Sequence, residues 1–333
     1  IEGGTIEGAA YIIDLTYGTC DMSGGTIQLT KAWTEEYGGE CVCINNGLNN
    51  SVTFNMSGGI INNSFKPTFE YESAYDATWN SGIWIWNNSN CYVNITGGEI
   101  NVPYGNGIFR YYVDDSEITL GKNDSSISSS SPTITAGIYG VLLRESENCS
   151  FNFYDGIISG GKETIVANVS DTPSGYKVGY FANGTSAKLI PNSVTAINET
   201  TGTTYTSLVT AISNASAGNT VSMQSDTSVS SAISITKTLN LNMNKYTLSS
   251  TSTSAYVLNN SSSGDLTIKS MNNSGKILSS GYRAIYNGGH MVIDDCNVET
   301  TASNYAIYNN SSSSKKLEIQ NNSNITGGTE GVY

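Results

Sequence analysis

The sequence predicts an all-β fold, a parallel β-helix or β-solenoid, and three observations lead there. A Gly-Gly pair recurs between short apolar strands, apolar residues two apart recur along most of the chain, and the repeat is too short to hold a helical crossover.

The Gly-Gly element comes first. Gly3-Gly4-Thr5-Ile6 returns 21 residues later as Gly24-Gly25-Thr26-Ile27. Met22-Ser23-Gly24-Gly25-Thr26-Ile27 matches Met56-Ser57-Gly58-Gly59-Ile60-Ile61. Further copies begin at Ile95 and Ile325, and Asp155-Gly156-Ile157-Ile158 is a looser one. A second element is Tyr256-Val257-Leu258-Asn259-Asn260, echoed by Ala284-Ile285-Tyr286-Asn287 and Ala306-Ile307-Tyr308-Asn309-Asn310. A third is a clipped strand: Val52 and Phe54, Val93 and Ile95, Ile118 and Leu120, Phe151 and Phe153, Leu266 and Ile268, Leu317 and Ile319. Period two places such pairs on one face of a strand.

Each repeat thus holds about three strands in roughly 20 to 30 residues. Parallel strands without helical crossovers can be joined only by coiling. Gly-Gly and Asn-Asn suit the corners, because both residue types tolerate left-handed backbone. Equivalent Asn residues are then expected to stack as a ladder. No P-loop lysine follows the glycines, so a phosphate cradle is not the reading.

The stretch from Tyr305 to Thr329 (YAIYNN…LEIQNNSNITGGT) and the MSGGTI copies resemble the repeats of right-handed parallel β-helix, pectate-lyase-like surface proteins of bacteria, adhesin-like proteins included. The resemblance covers most of the chain in pattern. It implies a right-handed coil at an extracellular or cell-surface location and says little about function.

The pattern breaks near 185–205, at Pro191 and a Thr-rich run. A helix is expected near 205–216, with Leu208, Val209, Ile212 and Ala215 on one side and Gly218 as its stop. A helix before new strands is similar to the N-terminal cap of bacterial β-helix domains. It would cover an open stack end. The expected organisation is a first solenoid over 1–190, a linker over 191–204 and a second solenoid over 205–333. The sequence opens and stops within repeats, which reads as a stretch of a longer chain.

Composition bounds the function. Charged residues are 13% and the net charge is −13, with only 15 Lys and Arg. That excludes an electrostatic nucleic-acid binder and disfavours an anionic membrane surface. No apolar run is long enough to span a bilayer. No cofactor is expected; the acidic balance permits calcium. Cys20, Cys41, Cys43, Cys91, Cys149 and Cys296 have no metal-finger spacing and read mainly as small buried hydrophobes. A Cys20 bridge to Cys41 or Cys43 is the other reading. Sequons at Asn55, Asn94, Asn168, Asn183 and Asn324 would be glycan acceptors in a eukaryotic secretory host.

Spacing between Gly-Gly copies grows from 21 to 34 and then 39 residues, which marks insertions at one point of the coil. Insertions on one face often carry binding. The candidate ligand-binding residues are Trp33, Glu35 and Tyr37 in the first, Phe69, Tyr71, Tyr75 and Trp79 in the second, and Trp84 and Trp86 just after. Aromatics with acids suit sugar stacking or a protein hot spot; packing on the flank is the plain alternative. Asp294-Asp295 near His290, the sole histidine, faintly echoes a hydrolase site, but neighbouring strand residues diverge unless they sit in a turn. The expectation is therefore a non-catalytic adhesin or binding module for a host glycan or protein, immunoglobulin among them. A ligand-free stalk is the alternative, and a polysaccharide lyase or hydrolase the third reading.

Overall fold

The computed structural model describes residues 1–31, 39–45, 51–67, 80–86, 90–111, 116–124, 127–128, 130–143 and 149–333. Among them the chain is all-β, with one short α-helix and mostly parallel sheets. It divides into two compact units, residues 1–179 with 185–191, and residues 180–184 with 192–333.

The first unit is built from three parallel ladders. One joins Gly18–Met22, the first parts of Val52–Asn63 and Cys91–Val102, Ser116–Leu120 and Cys149–Phe153. The second joins the start of Thr5–Leu15, Thr26–Lys31, the later parts of the same two long strands, Thr133–Ala136 and Ile157–Gly160. The third joins the rest of Thr5–Leu15, Gly39–Asn45, Asn80–Trp86, Asn106–Arg110, Tyr139–Leu143 and Glu163–Val166. The Gly-Gly copies lie between the first and second ladders, and the residues just after them, Thr5, Thr26, Ile60 and Glu99, pair in register. Ser186–Pro191 ends the second ladder in antiparallel fashion.

Residues 32–38 and 64–79 both connect the second ladder to the third. Elsewhere that corner shrinks to residues 103–105, 137–138 and 161–162. The first ladder alternates as the sequence predicts: Val52, Phe54 and Met56 are buried, as are Val93, Ile95, Ile118 and Leu120, with half-buried or exposed residues between. The third ladder departs from this pattern. Residues 80–85 and Asn106–Arg110 are buried throughout, so both faces are covered. Period two reports which residues share a face, not whether the second face is wet.

One consequence of that burial is Glu40, which is fully buried on the same side of its strand as Val42 and Ile44. Neither carboxyl oxygen has a hydrogen-bond partner among the described residues, and burial pushes the group well above the ordinary glutamate range. The native state therefore holds this proton more tightly than the unfolded chain does. The contribution of Glu40 is fully present below the ordinary glutamate pKa and is lost as pH rises through the folded value. Glu40→Gln should thus gain stability over the native chain as pH is raised, read as urea midpoints at about pH 4, 6 and 8. Parallel midpoint curves for the two proteins would refute a buried neutral carboxyl.

The second unit repeats the plan. Thr220–Met223, Thr238–Asn242, Asp265–Lys269, His290–Asp294 and Leu317–Gln320 form one parallel ladder. Thr227–Ser228, Thr247–Ser250, Lys276–Ser279, Asn297–Thr300 and Asn324–Thr326 form another. Ile233–Ile235, Leu258–Asn260, Ile285–Asn287 and Ile307–Asn309 form the third. Leu241, Leu248, Leu258, Leu266, Ile268, Ile277, Ile285 and Ile293 line one continuous core.

The helix α1 spans Leu208–Asn214, shorter than expected from the apolar spacing. Ser207 accepts from the Thr210 backbone N–H and so fixes its start. Tyr205 belongs instead to the strand Thr203–Tyr205, which pairs with Ala196–Asn198, and that strand pairs with Thr220–Met223. The stretch expected to be a linker therefore contains two strands. Leu208, Ala211 and Ile212 are buried, while Val209 is 47% exposed, because one residue turns about 100° around a helix. Lys237 Nζ donates to the carbonyls of Ser213, at 3.0 Å, and of Ala215, where its charge favours the helix C-terminus.

Candidate functional site

The third ladder of the second unit carries a connected aromatic surface. Leu258, Ile285 and Ile307 lie in register and point into the core, as do the buried Asn260 and Asn287. The residues between them, Asn259, Tyr286 and Tyr308, therefore face away from it. Two places before each core residue stand Tyr256, Arg283 and Tyr305, at equivalent points of successive repeats. An arginine thus stands between two tyrosines, while Ser231 holds the same place in the first repeat of the ladder.

The rings form a connected set. Tyr256 meets Tyr282 and Tyr286 edge-on at 5.3 and 5.5 Å between centroids. Tyr286 stacks on Tyr308 at 5.9 Å, Tyr308 on Tyr333 at 5.2 Å, and Tyr305 on Tyr333 at 4.6 Å. The Arg283 guanidinium lies 5.1, 5.3 and 5.0 Å from the ring centres of Tyr282, Tyr305 and Tyr308, within cation–π range. Its Nε donates to Asn304 Oδ1 at 3.1 Å and its Nη1 to the Tyr256 hydroxyl at 3.2 Å. Tyr256, Tyr282, Tyr286, Tyr305 and Tyr308 are half-buried, and Tyr333 is 59% exposed. Such rings bury an apolar body and keep a polar tip in water.

Beneath this surface runs the expected asparagine ladder. Asn260 Nδ2 donates to Asn287 Oδ1, and Asn287 Nδ2 to Asn309 Oδ1, both at 2.8 Å. A second ladder in the first unit runs from Asn94 to Asn55 at 2.9 Å and on to Asp21 at 2.7 Å. Two of the sequon asparagines therefore have their amide nitrogens engaged within a sheet, and Asn183 donates to the Ser270 carbonyl at 2.9 Å. Asn168 and Asn324 are exposed.

Trp33, Glu35, Tyr37, Phe69, Tyr71, Tyr75 and Trp79 lie outside the described residues. Trp84 and Trp86 do share a face, meeting edge-on at 4.5 Å. That face is covered at Trp84, which is only 2% exposed and packs with Cys43, Phe109 and Leu142. Trp84 is therefore the floor of an aromatic cluster and cannot itself present a contact surface. Trp86 is half-buried beside Tyr111 at 5.9 Å.

His290 sits between two acids on an outward sheet face. Its Nδ1 lies 2.9 Å from Asp265 Oδ1 and its Nε2 3.6 Å from Glu318 Oε1. Both ring nitrogens thus face carboxylates, and neither is hydrogen-bonded to a hydroxyl or thiol among the described residues. Asp294 ends its strand and pairs with Lys269 at 3.3 Å. Asp295 follows in a bend with φ 55°, and the two acids border one shallow cleft, with Lys269, Asn183, Asn321 and Asn322.

All six cysteines are free thiols, and Cys41, Cys43, Cys91 and Cys296 are buried. Burial pushes the Cys41 and Cys296 thiols up to about 12 and Cys91 to about 11, which leaves them protonated and unreactive at neutral pH. Among the described residues no helix is long and apolar enough to cross a membrane. No protein-family model, curated protein or solved structure matches the chain.

Proposed function

We propose that the chain is a right-handed parallel β-solenoid from a secreted or cell-surface protein, acting as a non-catalytic binding module for a host glycan or protein. One observation carries the reading. Six tyrosines and an arginine form a connected band on the outward side of a rigid parallel ladder. Tyrosine contributes large contact area at low entropic cost, together with a hydroxyl for directional bonds. A ladder fixed by core packing and an asparagine column below it presents these groups with little reorganisation on binding.

The alternative is a stalk without a ligand, and the ring geometry favours it in one respect. Tyr286, Tyr308 and Tyr333 stack nearly parallel, at 21° and 13°, so their inner faces are covered by one another. Only edges, hydroxyls and the outermost faces remain for a partner.

A glycan array with a host-protein pulldown separates the two readings. Tyr286→Ala with Tyr308→Ala should lower binding of whatever is captured by at least about tenfold, the usual size of a hot-spot loss. The circular dichroism should stay β-rich. Undiminished binding by the double variant would move the site elsewhere, and no capture by the native chain would favour the stalk.

A further inference from the structure

Arg283 departs from its repeat in a way that packing alone does not require. The neighbouring repeats place Tyr256 and Tyr305 at the same point, and a third tyrosine would have continued the column. The cation instead sits half-buried among aromatic rings, with no ion pair among the described residues. A guanidinium offers five N–H donors. Nε and one Nη1 proton are held by Asn304 and Tyr256. The remaining donors, on the Nη1–Nη2 end, have no partner among the described residues. That end is the planar fork that matches the two oxygens of a carboxylate.

Resting on the binding role above, we propose that Arg283 is the specificity-determining residue of a subsite for a carboxylate-bearing saccharide. The carboxylate pairs with the Nη1–Nη2 fork, and the sugar lies against the edges and hydroxyls of Tyr256, Tyr305 and Tyr333. Charge complementarity selects this ligand chemistry. In a chain of net charge −13, Arg283 is a cation with open donors inside the aromatic band. The three rings around it hold the guanidinium plane in place, so little side-chain freedom is lost when the anion docks. Partial burial keeps the attraction from being fully screened by salt.

The test compares a glucuronic-acid-containing oligosaccharide with its carboxyl-reduced, neutral counterpart, by calorimetry on the native chain, Arg283→Gln and Arg283→Lys. The native chain should bind the acidic form at least about tenfold more tightly than the neutral one, the scale of one bidentate charge-assisted contact. Arg283→Gln should remove that preference and leave the weaker neutral binding in place. Arg283→Lys keeps the charge but not the fork, and should retain only a small preference that falls steeply with added salt. It also serves if the glutamine variant fails to fold. Equal binding of both oligosaccharides by the native chain overturns the subsite and leaves the general binding role standing. An unchanged preference in both variants overturns it too. Binding of neither oligosaccharide, with a protein captured instead, sinks the saccharide assignment while preserving a binding module.

Discussion

Gly98→Ala should destabilise the first unit by about 2–5 kcal/mol, enough to unfold a marginal repeat array. Gly98 has φ 90°, in the left-handed region. There a β-carbon costs about 1–2 kcal/mol. That carbon would also lie 2.7 Å from the Gly59 carbonyl oxygen and 2.6 Å from Met56 Cε. The methionine tip can move. The Gly59 carbonyl cannot, because parallel pairing of Ile60 with Glu99 holds the two backbones together just beyond it. Overpacking of this kind adds about 1–3 kcal/mol. Gly3→Ala is the control, since a β-carbon there would meet nothing within 4 Å and the backbone is not left-handed. It should shift stability by less than about 0.5 kcal/mol. Urea titrations followed by tryptophan fluorescence read both variants. Similar losses for the two would show that the stacked Gly-Gly corner is not what demands glycine.

Asn287→Leu should cost about 2–4 kcal/mol in the second unit, despite the similar size of the two side chains. Asn287 is fully buried and sits in the middle of its ladder, accepting from Asn260 and donating to Asn309. Leucine strips one partner from each neighbour. Leaving a buried polar atom unpaired costs about 1–3 kcal/mol, more than the bond itself contributes on balance. Asn260 retains its bond to the His290 carbonyl at 2.8 Å, which limits the damage. Asn309→Leu is the comparison, because Asn309 is only half-buried and water can replace what is lost. Thermal melts should place Asn309→Leu well above Asn287→Leu. The reverse order would mean that the ladder is decoration on a fold held by its apolar column alone.

Much of this framework is legible in the chain. The strands that follow the Gly-Gly copies pair in register through Thr26, Ile60 and Glu99, and so do the Ile-Tyr-Asn copies at Ile285 and Ile307. Val52 with Phe54, Val93 with Ile95, and Leu266 with Ile268 are buried pairs, as their spacing predicts. Leu317 and Ile319 share that spacing, yet Ile319 is 44% exposed, because its strand has a neighbour on one side only. Trp84, a contact residue by its place beside the second insertion, is floor instead. Glu40 is a charged residue type in a position without water. Arg283 stands out once Tyr256 and Tyr305 are aligned on their following core residues. Its open fork does not, since that depends on where Asn304 and the Tyr256 hydroxyl end up.

The amino-acid order alone determined the alternation of strand and corner, the shortness of the repeat and the facing of side chains along each strand. These depend on backbone preferences and on a period of two, which act within a few residues. Only the tertiary structure decided which outward faces are covered, which polar groups are orphaned and which side chains from different repeats meet around Arg283. Those outcomes depend on register between strands some 20 to 40 residues apart and on what lies across each sheet, and no local spacing encodes either.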